Sequence, residues 1–423
     1  MTIDLYKDKN VAVFGLGVSG LGVAKFLKSN GANVFVWDNN QDAVADSGFT
    51  PCDLNSADLT QFDFIVASPG ISNDNPICQN AIKNKVPLVG EVQLLFQSQS
   101  EATYIGITGT NGKSTTTALI SHILNSAGIK NETGGNFGIP ATALNKLGKG
   151  EVYILEMSSY MLERVPDVKF DIAVFLNITE DHLQWHNTME NYYNAKAKIF
   201  NNMTANDTAI ICNDDEYGKK LTNQITTPNK VIVSKNDINK DYKYLNGEHN
   251  KQNIACVIAV CKSLGIDEKI IEDSLNSFTG LTHRQQFVDK INNTTFINDS
   301  KATNTVSAQK ALSAYNNIYW IAGGEKKSDD YSDLDKCINN IKKAFLIGKD
   351  ADSIAKYLDT KNIPYEINQT LEKAVQSAYK ESTSNTDDNI VLLSPACASF
   401  DQFKSFEARG DKFIQIIKEI NNG

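Results

Sequence analysis

The stretch Tyr104-Ile-Gly-Ile-Thr-Gly109-Thr-Asn-Gly112-Lys113-Ser114-Thr115 decides the architecture of the chain. A short apolar run, 104–107, leads into a glycine-bearing turn. After it, Leu119, Ile120, Ile123, Leu124 and Ala127 recur at helical spacing. Strand, tight turn and one-faced helix form the context that a phosphate-binding loop requires. Backbone N–H groups of such a turn wrap phosphate oxygens, Lys113 extends to the terminal phosphates, and the Ser114 hydroxyl can ligate magnesium. The strict pattern has glycine at position 107. Here Ile107 stands there, flanked by Gly106 and Gly109, so the loop is a variant.

Outward from this loop, short apolar runs alternate with helical-period segments almost throughout, which reads as an α/β fold of parallel sheets covered by helices. A chain of 423 residues exceeds one ordinary hydrophobic core, so two or three domains are expected. Three blocks emerge. The first runs from the strand 11–14 through an extended segment, 62–67, to about Glu91. The second opens at 104–107, continues through strands 152–155 and 172–176, and closes with helices near 250–264 and 268–278. The third carries strands at 295–297, 318–322, 344–347 and 390–393. Polar stretches 236–243 and 382–389 read as surface loops.

The first block has its own glycine loop, Gly15-Leu-Gly17-Val-Ser-Gly20, with Asp38 after the next strand, 34–37. Glycines there permit a tight turn, and a helix N-terminus offers amides to phosphate. NAD, FAD or another phosphorylated nucleotide would fit equally well on these residues alone. Ser68-Pro-Gly70, after the strand 64–67, is either a second loop at that sheet edge or an ordinary turn.

A phosphate loop needs metal ligands on neighbouring strands. Val152-Tyr-Ile-Leu-Glu156 is an apolar strand ending in a carboxylate, and Asn177-Ile-Thr-Glu-Asp-His182 gathers donors and acceptors at another strand end. Taken singly, Glu156 reads as a solvated strand-end acid and His182 as a structural histidine.

Composition narrows the class. Lys and Arg number 41 and Asp and Glu 50, a net charge of −9, and no basic run stands out, which argues against nucleic acid and anionic membranes as partners. Apolar stretches such as 254–261 fall short of the roughly 18–20 residues of a membrane span, and the first residues lack a secretory leader. Seven scattered cysteines without a Cys-x-x-Cys pair read as buried thiols in a reducing compartment, the cytoplasm.

Taken in order, the motifs go beyond a generic ATPase. After the phosphate loop come Glu156-Met-Ser-Ser, Asn177 to His182, Ala195-Lys196-Ala-Lys-Ile-Phe200 and His249-Asn250. Gly280-Leu-Thr-His283-Arg284, Asp299-Ser-Lys301-Ala-Thr303-Asn304 and Ser394-Pro-Ala-Cys-Ala-Ser399-Phe-Asp-Gln-Phe403 follow. This series resembles the Mur ligase family, cytoplasmic ADP-forming enzymes of peptidoglycan precursor synthesis. The glycine loop and the last two segments resemble the branch that adds D-glutamate to UDP-N-acetylmuramoyl-L-alanine.

The resemblance implies three domains: a Rossmann-like UDP-substrate domain (1–92), a P-loop ATPase-type central domain (93–280) and a Rossmann-like amino-acid domain (281–423). It implies a soluble, monomeric ligase that uses ATP as co-substrate with two Mg²⁺ ions and joins a carboxylate to an amine through an acyl phosphate. Gly109, Thr110, Asn111, Gly112, Lys113, Ser114 and Thr115 would hold the ATP phosphates, and Asn253, Arg284 and Asp299 the adenosine side. Ser114, Glu156, His182 and Lys196 would serve metal, Lys196 as a lysine carbamylated by CO₂. By residue type alone, Lys196 reads as a helix-surface lysine. Gly17, Val18, Ser19, Asp38, Gly70, Asn136 and His182 would line the UDP-substrate site, which revises the dinucleotide reading. Lys301, Thr303, Lys327, Ser399 and Phe406 would hold D-glutamate.

Two departures from the family pattern fall near these positions: Lys326 replaces a glycine, and Gln286 a glutamate in the segment after Arg284. No general base stands out. A folylpolyglutamate synthetase would share the central block but not the first glycine loop. An oxidoreductase would leave Lys113, Glu156 and His182 without a role, and a non-catalytic ATP sensor would leave the substrate motifs without one.

Overall fold

The computed structural model describes residues 5–422 except 100, 137–138, 228, 243–244, 246 and 326–329. Its contacts divide into two compact units, Met1–Phe278 and Thr279–Gly423.

The first unit holds two sheets. One is all parallel, in the spatial order Thr50–Pro51, Asn33–Trp37, Asn10–Phe14, Phe64–Ala67, Leu88–Val89. Val11, Val13, Val34 and Val36 are buried on one face and Ala12, Phe14 and Ile65 on the other, so its strands are apolar on both faces, as a helix-covered parallel sheet requires. Strand order reverses between Asn10–Phe14 and its neighbour Phe64–Ala67. The glycine loop and Ser68-Pro-Gly70 leave the sheet on either side of that crevice, where open α/β sheets take ligands.

The other sheet has six parallel strands in the order Lys230–Val233, Thr208–Cys212, Ile172–Phe175, Thr103–Thr108, Val152–Glu156, Asn131–Gly135. The strand that feeds the phosphate loop is therefore central, between the strands that end in Glu156 and lead to Asn177. Leu119, Ile120, Ile123 and Leu124 of the helix Lys113–Ser126 pack on one face with Ile254 and Val257 of the helix Glu248–Ser263. Tyr104, Tyr153, Phe170, Phe175 and Tyr192 fill the other face.

The second unit is a six-stranded sheet in the order Gln286–Ile291, Thr294–Asn298, Asn389–Leu393, Ile318–Gly323, Ile341–Ile347, Tyr365–Gln369. Its first pair is antiparallel. The expectation of parallel pairing alone missed this edge strand. It turns through Asn292-Asn293, with Asn292 at φ 54°, a left-handed conformation that asparagine tolerates well. No helix among the described residues is long and apolar enough to cross a membrane.

Candidate active site

The phosphate loop is shaped by close packing around its glycines. Gly106 lies within the strand, and a Cβ there would come 2.6 Å from the Phe170 ring. Its role is packing against that ring. Gly112, at φ 84°, caps the helix Lys113–Ser126, and a Cβ would meet the Asn253 side-chain oxygen at 2.1 Å. That Asn253 oxygen is buried without a hydrogen-bond partner, so the helix Glu248–Ser263 brings an unsatisfied polar group against the loop. Asn177 holds the loop from the neighbouring strand end: its Oδ1 accepts the Asn111 amide at 2.9 Å, and its Nδ2 donates to the Asn111 carbonyl at 3.2 Å. Thr110 shares a hydroxyl–hydroxyl bond with Tyr192 at 3.2 Å. Thr115 follows Ser114 in the first helical turn.

Two lysine side chains converge on one carbonyl. Lys113 Nζ donates to Gly109 O at 2.9 Å and to Thr110 O at 3.0 Å. Lys196 Nζ donates to the same Gly109 O at 2.8 Å. Lys196 is 2% exposed, so the surface reading of this lysine is overturned. The helix Met189–Ala197 turns it inward against the central sheet, over the Tyr192 ring at 4.6 Å. Burial first, then repulsion by Lys113, holds the Lys196 ammonium well below the usual lysine range; Asp181 and Glu156 oppose this.

Glu156 is buried and doubly bonded. Ser114 Oγ donates to one carboxylate oxygen at 2.7 Å and Asn136 Nδ2 to the other at 2.8 Å. His182 sits in a left-handed conformation, φ 54°, its Nε2 3.4 Å from Asp181 and its ring edge-on to Tyr160. Burial, Lys196 and Lys113 lower its pKa against Asp181, which favours the neutral imidazole. The first unit thus gathers Lys113, Ser114, Glu156, Asn136 and Lys196 around one loop through side-chain bonds.

At the other sheet edge, Leu16 N donates to Asp38 Oδ2 at 2.6 Å, and Ser68 Oγ to Gly15 O at 2.9 Å. Gly17 caps the helix Val18–Ser29, and Val18 is 81% exposed on its first turn. A Cβ on Gly17 or Gly70 would meet nothing within 4 Å, so the loops present open space. Ser19 hydrogen-bonds the buried Glu91, whose carboxyl burial pushes up and which also accepts the Thr142 amide and hydroxyl at 2.8 and 2.9 Å. Glu91 was not singled out from sequence.

In the second unit, Lys301 Nζ lies over the Phe406 ring at 5.5 Å. Thr303 N donates to Lys301 O at 2.8 Å, and Ser399 is buried. Arg409, unanticipated from sequence, ties these segments together. Its guanidinium donates to Ser300 Oγ and O at 3.0 and 2.9 Å, and to the carbonyls of Cys397 and Ala398 at 3.2 and 3.3 Å. Lys326 and Lys327 lie outside the described residues. Arg284 is exposed, whereas Asp299 is buried, accepting the Gln285 amide at 3.1 Å and the Ser394 hydroxyl at 2.7 Å.

This arrangement has known relatives. Three family models match in succession: Mur ligase MurD-like, N-terminal domain, over residues 9–90; Mur ligase middle domain over 107–270; and Mur ligase, glutamate ligase domain, over 283–397. The UDP-N-acetylmuramoylalanine–D-glutamate ligase of Caulobacter vibrioides is 39% identical over 99% of this chain and 97% of its own length. The chain belongs to the Mur ligase family. The protein of the same name from Nitrobacter hamburgensis is 36% identical over 98% of this chain and 97% of its own. Among solved structures, the UDP-N-acetylmuramate-alanine ligase of Thermotoga maritima shares the fold, with a TM-score of 0.55 and 17% identity over 97% of this chain and 100% of that one.

For this Mur ligase a magnesium site is chemically reasonable at one place. No three His, Cys, Asp or Glu side chains gather into a metal-binding group among the described residues. Magnesium, however, takes one or two protein oxygens and completes its shell with phosphate and water. Ser114 Oγ and the Glu156 carboxylate, 2.7 Å apart beside the phosphate loop, are such a pair of hard donors.

Burial pushes the Asp299 carboxyl up to about 7, against the hydrogen bonds from Ser394 and Gln285 and the Arg284 charge. Its unfolded value is about 3.9. The folded state therefore holds this proton more tightly, and the associated stability is present below the unfolded value and lost as pH rises through about 7. Asp299→Asn removes the titration. Its denaturant midpoint should fall less between pH 5 and pH 8 than the wild-type midpoint. Equal slopes would show that Asp299 does not titrate in this range.

Proposed function

We propose that the chain joins D-glutamate to UDP-N-acetylmuramoyl-L-alanine at the expense of ATP, releasing ADP and phosphate, in peptidoglycan precursor synthesis and so in cell-wall growth, cell shape and division. The observation that carries this reading is the Lys113 ammonium on the Gly109 and Thr110 carbonyls of the glycine turn, set beside Ser114 and Glu156. A cation held at a strand-to-helix turn favours an anion there. A triphosphate supplies that anion. Full-length similarity to ligases of this name supports the choice of substrates.

A carboxylate resists attack by an amine because oxide is a poor leaving group. Transfer of the γ-phosphoryl to it gives an acyl phosphate, which the D-glutamate amine attacks as phosphate leaves. Lys113 neutralises charge on the transferring group, and the loop amides orient it. Asn253, Arg284 and Asp299 serve the adenosine side. Magnesium supplies further shielding of phosphate charge when bound, with Ser114 and Glu156 to hold it and His182 and carbamylated Lys196 for a second ion. Lys196 suits carbamylation because burial and Lys113 favour its neutral amine, the form that reacts with CO₂.

Gly17, Val18, Ser19, Asp38 and Gly70 take the UDP part, with Asn136 and His182 toward the sugar-peptide. Lys301, Thr303, Ser399, Phe406 and Lys327 take D-glutamate. The domain limits 1–92, 93–280 and 281–423, the second magnesium ion, the cytoplasmic location and the monomeric state rest on the resemblance. The net charge of −9 argues against nucleic acid.

Phosphate release measured with each substrate omitted in turn tests the reading. Release should require ATP, UDP-N-acetylmuramoyl-L-alanine and D-glutamate together. Equal release with another amino acid in place of D-glutamate would refute the substrate assignment.

A further inference from the structure

Arg164 follows the helix Ser159–Leu162 of the middle block, is 3% exposed, and reaches the N-terminal sheet edge within the first unit. All five of its N–H groups are engaged. Nε donates to Asn73 Oδ1 at 3.3 Å, and Nη1 to the carbonyls of Ala67 at 3.1 Å and Ser68 at 2.8 Å. Nη2 donates to the Ile71 carbonyl and to Asn73 Oδ1 at 3.1 Å. Every bonded acceptor is neutral, and the adjacent Glu163 carboxylate acts on the charge without a direct bond. Arg164 O accepts the Gly90 amide at 2.7 Å, and a Cβ on Gly90 would come 3.3 Å from the Arg164 side chain. The contact is close on both sides of the chain.

One planar fork that satisfies three carbonyls and an amide side chain determines the path of residues 67–73, because a shift of any carbonyl would strand a buried charged donor. The same loop is joined to the glycine loop in front of it. Ser68 Oγ donates to Gly15 O, and a Cβ on Gly15 would come 2.8 Å from Ile71. Gly70, between these anchors, faces open space. Asn73 also lines a cavity of about 280 Å³ shared with Glu163, His186 and Asn191 of the middle block.

We propose that Arg164 is a positioning residue for the nucleotide end of the UDP-linked substrate, holding the Ser68–Asn73 loop against the glycine loop from the middle block. The inference rests on the reaction proposed above. The nucleotide site is then shaped by two domains rather than by the glycine fold alone.

Arg164→Lys keeps the charge but cannot span the four acceptors. It should raise KM for UDP-N-acetylmuramoyl-L-alanine about tenfold, the equivalent of losing roughly one charged hydrogen bond. KM for ATP and kcat at saturation should stay near wild type, while the unfolding temperature falls modestly because buried acceptors lose their donors. Asn73→Ala removes the Nε bond and one Nη2 bond, and should shift the same KM in the same direction by less. An unchanged KM for the UDP substrate in folded R164K overturns the proposal. So does an equal rise of both KM values, which marks a purely structural role. Should R164K not fold, an unchanged KM in N73A overturns it.

Failure of the reaction itself is distinguishable, since wild type would then give no substrate-dependent phosphate release. Calorimetry with UDP on the full chain decides in that case. Weaker UDP binding by R164K sustains the positioning role, and equal binding overturns it.

Discussion

Lys113→Ala should lower D-glutamate-dependent phosphate release by about a thousandfold, the upper range for removing one preorganised donor from a transition state. Lys113 begins the helix Lys113–Ser126, and its ammonium donates to the local carbonyls of Gly109 and Thr110. Leu119, Ile120, Ile123 and Leu124 hold that helix to the core, so the variant should fold with an unfolding temperature near wild type. Phosphate release and thermal unfolding measured on one preparation separate lost chemistry from lost structure. Near-normal turnover would remove Lys113 from the phosphate site and with it the proposed use of ATP.

Lys196→Ala should be inactive under the same assay, and a short carboxylate such as acetate should restore part of the activity. The variant leaves a space beneath the Gly109 carbonyl and over the Tyr192 ring, where the buried amine stood. If the working side chain is a carbamate, an anion that enters this space replaces it. If the working group is the ammonium, acetate has no effect and a small amine restores activity instead. Full activity without any additive would remove Lys196 from the metal site. The burial of this lysine makes the experiment informative, because an exposed lysine would leave no cavity to fill.

The phosphate loop, the glycine loop and the main strands could be read directly from the chain. Their signals are local: residues 109–115 act through adjacent backbone amides and one lysine, and apolar runs such as 11–14, 152–155 and 390–393 mark buried strands within a few residues. The family motifs carried the same information further, because each is contiguous. Folding decided what depends on distant partners. Lys196 meets Gly109 across 87 residues, Arg164 meets Ser68 across 96, and Arg409 meets Ser300 across 109.

A cation's ordinary place is at the surface, so its type and spacing argue against burial, and only packing of remote strands supplies the carbonyls that satisfy it. The antiparallel strand Gln286–Ile291 escaped for a related reason: its residues are all partly exposed, without the apolar run that marks a buried strand. Short-range chemistry is written in neighbouring residues. Charge burial is settled by long-range geometry, since desolvation depends on everything that surrounds the group.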